Sequence, residues 1–196
     1  MYSPCSLKVF MNYATVKYND VANGPGVRVS LFVSGCRHRC KGCFNREAWD
    51  FNYGNEFDGS VIDSIISALE HGYVEGLSLL GGEPLEPENQ EGVLALVKRV
   101  RELLPKKTVW CYTGFCFEEL LEKVNNGNAV LGELLSLIDV IVDGRFVEDK
   151  KDASLIFRGS SNQRILDLKA SLSHGKAVLL DGVWKRKMGS TDIYEV

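Results

Sequence analysis

Between residues 27 and 144, apolar runs of strand length alternate with amphipathic stretches of helix length, and every strand candidate runs into a short loop containing glycine. VRVSLFV (Val27–Val33) sets Val27, Val29, Leu31 and Val33 on one side and Arg28, Ser30 and Phe32 on the other, the period-two pattern of a strand. SVIDSIISALEHG reads as a helix, with Ser60 as N-cap, Asp63 three residues on, Val61, Ile62, Ile65, Ile66 and Leu69 as the apolar stripe, and Gly72 as the stop. LSLL at 77–80 is a short buried strand. A helix follows from about residue 89 to 104, with Val93, Leu96, Val97, Val100, Leu103 and Leu104 inward and Pro105 ending it. VWCYTG (109–114) and DVIVDG (139–144) are further strands, separated by the helical stretches FEELLEKV and AVLGELLSLI.

Strand–helix alternation implies α/β architecture with parallel strands joined by crossovers. A closed eightfold barrel typically needs about 250 residues, so 196 residues fit a partial, open parallel βα barrel, with a doubly wound open sheet as the alternative. In either arrangement the carboxyl ends of the strands share one edge. The loops SGC, GGEP, TG and DG should therefore meet in space. The expected organisation is one domain over 1–169 and an extension over 170–196, where KAVLL-DG-VWKRK reads as a β-hairpin turning at Asp181-Gly182.

Three of the six cysteines, Cys36, Cys40 and Cys43, stand as C-x3-C-x2-C in VSGCRHRCKGCFN. The amino terminus lacks the charged and apolar regions of a signal peptide, and no apolar run approaches the ~18 residues of a membrane span. The reading is a cytoplasmic, membrane-free protein, in which clustered cysteines mean metal or redox chemistry more often than disulfides. A net charge of −3 gives no broad cationic surface for nucleic acid. Three thiolates on one short loop can hold three corners of a 4Fe-4S cluster and leave one iron open to a small molecule. The alternative is a structural zinc site in a non-catalytic interaction domain, with His38, Cys5, Cys111 or Cys116 as fourth ligand.

The C-x3-C-x2-C loop after a strand resembles the cluster motif of the radical S-adenosylmethionine superfamily. The resemblance extends to NGPGVR (23–28), GGEP (81–84), GRF (144–146) and FRGSSNQR (157–164), and covers roughly residues 12 to 169. Together these segments are similar to the branch that activates the anaerobic ribonucleoside-triphosphate reductase. An activase for another glycyl-radical enzyme, such as pyruvate formate-lyase, is the nearest rival, and an enzyme modifying a deazapurine precursor a more distant one.

The resemblance implies that S-adenosylmethionine chelates the open iron through its amino and carboxylate groups. One electron from the reduced cluster would break the S–C5′ bond, and the resulting 5′-deoxyadenosyl radical would take a hydrogen atom from a glycine of the reductase. It further implies that Gly81, Gly82, Glu83 and Pro84 form the cofactor loop, with Glu83 accepting a charge-assisted hydrogen bond from the ammonium. Phe44 and Asn45 follow the last cysteine as possible cofactor contacts, whereas many superfamily members place an aromatic residue where this chain has Gly42. Thr113 and Asp143 either touch the cofactor or cap a helix or turn. Ser160-x-x-Gln163 reads as a capping box, which leaves Asn162 and Arg164 for cofactor or partner. Arg37, Arg39 and Lys41 are expected to help dock an acidic one-electron donor such as flavodoxin.

Overall fold

The computed structural model describes residues 11–180. Seven strands form one open sheet in the order β3-β1-β2-β4-β5-β6-β7. They are β1 (Asn12–Asp20), β2 (Val27–Val33), β3 (Asn55–Glu56), β4 (Val74–Gly81), β5 (Thr108–Tyr112), β6 (Val140–Asp143) and β7 (Arg164–Asp167). The helices are α1 (Gly59–Leu69), α2 (Pro87–Leu103), α3 (Phe117–Asn125), α4 (Ala129–Ser136) and α5 (Leu168–His174). The four strands expected from the sequence, β2, β4, β5 and β6, are the parallel centre of the sheet. Antiparallel strands flank them: β1 beside β2, and β7 beside β6.

Register explains how the sheet carries its core. Leu31, Leu79, Cys111, Ile141 and Leu166 lie side by side across five strands and are all fully buried. They join the stripes of the helices, among them Ile65, Leu69, Val93, Leu96, Leu120 and Leu134, in one apolar cluster. The opposite face holds a smaller cluster of Trp110, Val140, Val142 and Ile165.

That second covered face changes the meaning of Arg28. Alternation set it on the polar side of its strand, yet it is fully buried. Its guanidinium donates to Ser78 Oγ (2.7 Å), Thr108 Oγ1 (3.0 Å) and the carbonyls of Leu77 (2.7 Å) and Thr108 (3.0 Å), and it lies over the Trp110 ring. Burial pushes its pKa down to about 10. The NGPGVR segment thus ends in a cation that fastens β2 to β4 and β5.

Three local expectations are corrected. The N-cap of α1 is Asp58, whose carboxylate accepts from the amides of Ser60 (2.9 Å) and Val61 (3.1 Å). Leu103, expected inward, is exposed on the last turn of α2. The GSSNQR segment does not open a helix. Gln163 Oε1 accepts from Gly159 and Ser160 N–H as a capping box would, but the chain continues extended as β7. Its register with β6 buries Leu166 in the core. Helix α5 then carries the chain across residues 169 and 170. The Asp181-Gly182 turn lies outside the described residues. The chain before it lies along β7, with Asp167 N–H bonded to Val178 O and Leu180 N–H to Ile165 O.

Candidate metal centre

The four loops predicted to share the carboxyl edge of the sheet do meet, and hydrogen bonds join them. After β2, Gly35 O accepts from Glu83 N–H (2.8 Å), and Val33 O accepts from Gly82 N–H (2.7 Å). A Cβ at Gly82 would stand 2.5 Å from Gly35 O and 2.9 Å from Ala48 O, so only glycine allows this approach. The Glu83 carboxylate reaches the loop after β5, accepting from Thr113 Oγ1 (2.8 Å) and Gly114 N–H (2.7 Å). Gly144, after β6, donates to Phe115 O at 3.0 Å.

Cys36, Cys40 and Cys43 occupy the loop after β2 as free, half-buried thiols. Burial pushes the Cys36 thiol up to about 11, against the opposing pull of the His38 and Arg39 amides. Burial also raises Cys40. The three sulfurs do not all lie within 4.8 Å of one another; among the described residues only Cys116, Glu118 and Asp143 form such a trio. The fourth ligands considered for zinc are engaged elsewhere. His38 turns to Glu83, Cys111 is buried in the helix-side core, and Cys116 begins α3 beside Asp143. Cys5 lies outside the described residues.

A cavity of about 450 Å³ opens beside the loop, lined by Phe32, Cys43, Phe44, Asn45, Tyr53 and Gly81 among others. That size falls within the range of small-molecule sites. It gathers Cys43, Phe44, Asn45 and Gly81 from the expected site residues, and Phe44 is 97% exposed.

Other expected residues are committed inside the protein. Glu83, 1% exposed, accepts on Oε1 from Leu85 N–H (3.0 Å) and Thr113, and on Oε2 from Gly114 and His38 (3.0 Å). Pro84 is buried behind it. Thr113 Oγ1 also accepts from Phe115 N–H, a turn bond, and Asp143 Oδ2 accepts from Phe117 N–H at the start of α3. Arg164 is bidentate on Asp143 and pairs with Glu118. Asn162 Nδ2 donates to Arg145 O, and Gln163 Nε2 to Gly144 O, so GRF and FRGSSNQR form one folded unit. Of the three basic residues, Arg37 is bound to Glu86 and Glu88 and stacks on Phe51, and Lys41 pairs with Glu148. Exposed Arg39, at φ 45°, makes no ion pair among the described residues. Sequence reasoning named His38 only as a zinc ligand and missed its contact with Glu83, and it missed Glu86 as an acceptor for the cysteine loop, since neither contact lies within a short spacing.

Comparison with known proteins identifies the family. The family described as the 4Fe-4S single cluster domain matches residues 22–166, which defines the class of protein. The chain is 45% identical over 161 residues to the anaerobic ribonucleoside-triphosphate reductase-activating protein of Escherichia coli K12, covering 81% of this chain and 100% of that one. The protein of the same name from Salmonella typhi is 45% identical over 152 residues, 76% of this chain and 94% of that one. That of Enterobacteria phage T4 is 38% identical over 175 residues, 89% and 99%. The chain belongs to the family of anaerobic ribonucleoside-triphosphate reductase-activating proteins.

Proposed function

We propose that this chain activates an anaerobic ribonucleoside-triphosphate reductase, using S-adenosylmethionine and a 4Fe-4S cluster held by Cys36, Cys40 and Cys43. The observation that carries the reading is the set of three free thiols at the carboxyl edge of parallel strands, beside a cavity that Cys43 itself lines. The names of the relatives support the reductase as the target over another glycyl-radical enzyme. The open sheet is read as the partial barrel of radical S-adenosylmethionine enzymes. When bound, cluster and cofactor supply one-electron cleavage of the sulfonium and removal of a hydrogen atom from a glycine of the reductase.

The chain's own residues place these groups. Gly81 and Gly82 let the backbone approach the cofactor closely, and Phe44 and Asn45 offer it an aromatic face and an amide at the rim. Glu83, Thr113 and Asp143 tie the loops after β4, β5 and β6 together through their internal bonds, and Pro84 is buried beside Glu83. Asn162 and Arg164 hold the loop above β6. Arg39 is the cation left to meet flavodoxin or a similar donor, in the cytoplasm. Among the described residues no helix is long and apolar enough to cross a membrane.

The test is anaerobic reconstitution with iron and sulfide, reduction with dithionite, and quantification of 5′-deoxyadenosine from S-adenosylmethionine. The parent should form it, and Cys36→Ala, Cys40→Ala and Cys43→Ala should not. Bound zinc with no cleavage would turn the cysteines into a structural site and end this reading.

A further inference from the structure

We infer that His38 is a positioning residue for the cluster-bearing loop and that it acts through Glu83. The inference rests on the reading of Cys36, Cys40 and Cys43 as cluster ligands. His38 lies between the first two of them, and its side chain is 6% exposed. Its Nε2 is 3.0 Å from Glu83 Oε2. Against an ionised carboxylate, which only accepts, Nε2 is the donor. The ring meets Phe115 edge-to-face at 4.5 Å. It also lies so close over Gly114 that a Cβ there would be 2.4 Å from Cδ2.

Glu83 has two oxygens with about four acceptor positions. Leu85, Thr113, Gly114 and His38 fill four. In this structure all four of its bonds are to the protein. It joins the loops after β4 and β5 to the middle of the cysteine segment. Around Cys36 the main chain is pinned at Gly35 by Glu83 N–H, at Cys36 by Trp49 O (3.2 Å) and at Arg37 by Glu86 Oε1 (2.8 Å), and the His38 side chain is held by the Glu83 carboxylate. Between Cys40 and Cys43 the described contacts are lighter: Cys43 N–H to Cys40 O and the exposed Lys41–Glu148 pair. His38 is therefore the last firm anchor before Cys40 and, together with the Phe146 amide that bonds the Cys40 sulfur, it sets where that sulfur stands relative to Cys36.

The experiment uses the full chain reconstituted anaerobically with iron and sulfide. It records the electron paramagnetic resonance spectrum of the dithionite-reduced cluster and the rate of iron loss to a chelator. His38→Ala should shift the spectrum and lose iron roughly tenfold faster, the scale of outer-shell changes at metal sites. His38→Gln, whose amide can donate to Glu83, should return both readouts toward the parent. Gly114→Ala should reproduce His38→Ala by displacing the ring, and the double variant should be no worse than His38→Ala alone. A parental spectrum and parental iron retention in His38→Ala would overturn the inference. If that variant does not fold, parental behaviour of Gly114→Ala would overturn it equally. A parent that takes up no cluster at all would remove the functional reading and this inference with it.

Discussion

Arg164 grips Asp143 across the antiparallel β6–β7 pair with both arms of its guanidinium, Nε to Oδ1 at 3.0 Å and Nη2 to Oδ2. Asp143 is fully buried, and its Oδ2 also accepts from Phe117 N–H at 2.8 Å. One carboxylate thus ties β6, β7 and the start of α3 at the edge where the site lies. Removing the guanidinium leaves a buried charge with a single strong donor. Arg164→Ala should cost about 3 kcal/mol in urea denaturation. Arg164→Lys should recover little, because a point charge cannot replace a planar fork. A loss within about 0.5 kcal/mol, as for an ordinary surface change, would contradict this account.

Asp139, at the other end of β6, predicts an acid limb to stability. Burial by itself would raise its carboxyl pKa. The contacts with Lys169 (2.7 Å), Arg101 (2.6 Å) and Val109 N–H (2.8 Å) outweigh that and hold it below the usual carboxylate range. A carboxyl with a lowered native pKa contributes stability above its unfolded value of about 4, and this is lost as pH falls through the native value. Asp139→Asn should therefore cost about 2 kcal/mol at neutral pH. Below about pH 4 its deficit against the parent should shrink. Denaturation curves at a series of pH values check this, and a deficit that stays constant into acid would refute it.

The close approach of Gly82 to Gly35 gives a third expectation. Gly82→Ala would drive a Cβ against two backbone carbonyls, Gly35 O and Ala48 O, neither of which can swing aside as a side chain would. The fold should survive with the cysteine loop displaced, and iron retention should fall roughly tenfold. Gly72→Ala is the control, because open space surrounds a Cβ there. Equal iron retention in the two variants would show that the GGEP loop does not set the geometry of the cysteine loop.

What could be read from the sequence follows the physics of each element. The strands β2, β4, β5 and β6 and the four helices between β3 and β6 were legible because their apolar residues fall in strand or helix periods and most of them are followed by a glycine or proline. β7 was not: RILD is as short as VIVD of β6 but lacks its β-branched run and the glycine that follows it, so nothing separates strand from helix. A half-formed capping box before it favoured the wrong choice. Alternation put Arg28 opposite the Val27–Leu31 side of its strand, but it cannot tell that both faces of a sheet are covered. At the site, the cysteines and the meeting of four loops were legible from spacing and topology. The inward turn of Glu83 and the part of His38 were not, since they depend on contacts across 45 residues of chain.

Arg37, Arg39 and Lys41 form a basic cluster in sequence, but folding spends two of the three charges on Glu86, Glu88 and Glu148. Arg39 stays exposed and unpaired among the described residues, on the loop between Cys36 and Cys40. Steering by opposite charge acts through net local charge and is screened over about 8 Å at physiological salt. Arg39→Glu should therefore slow cluster reduction by flavodoxin several-fold at low ionic strength, with the difference fading as salt is added. Arg37→Gln should slow it less and instead loosen the cysteine loop, because the lost bond is to the largely buried Glu86 carboxylate. Stopped-flow reduction at two salt concentrations separates these effects. An Arg39→Glu rate equal to the parent's at low salt would remove the basic loop from the docking surface.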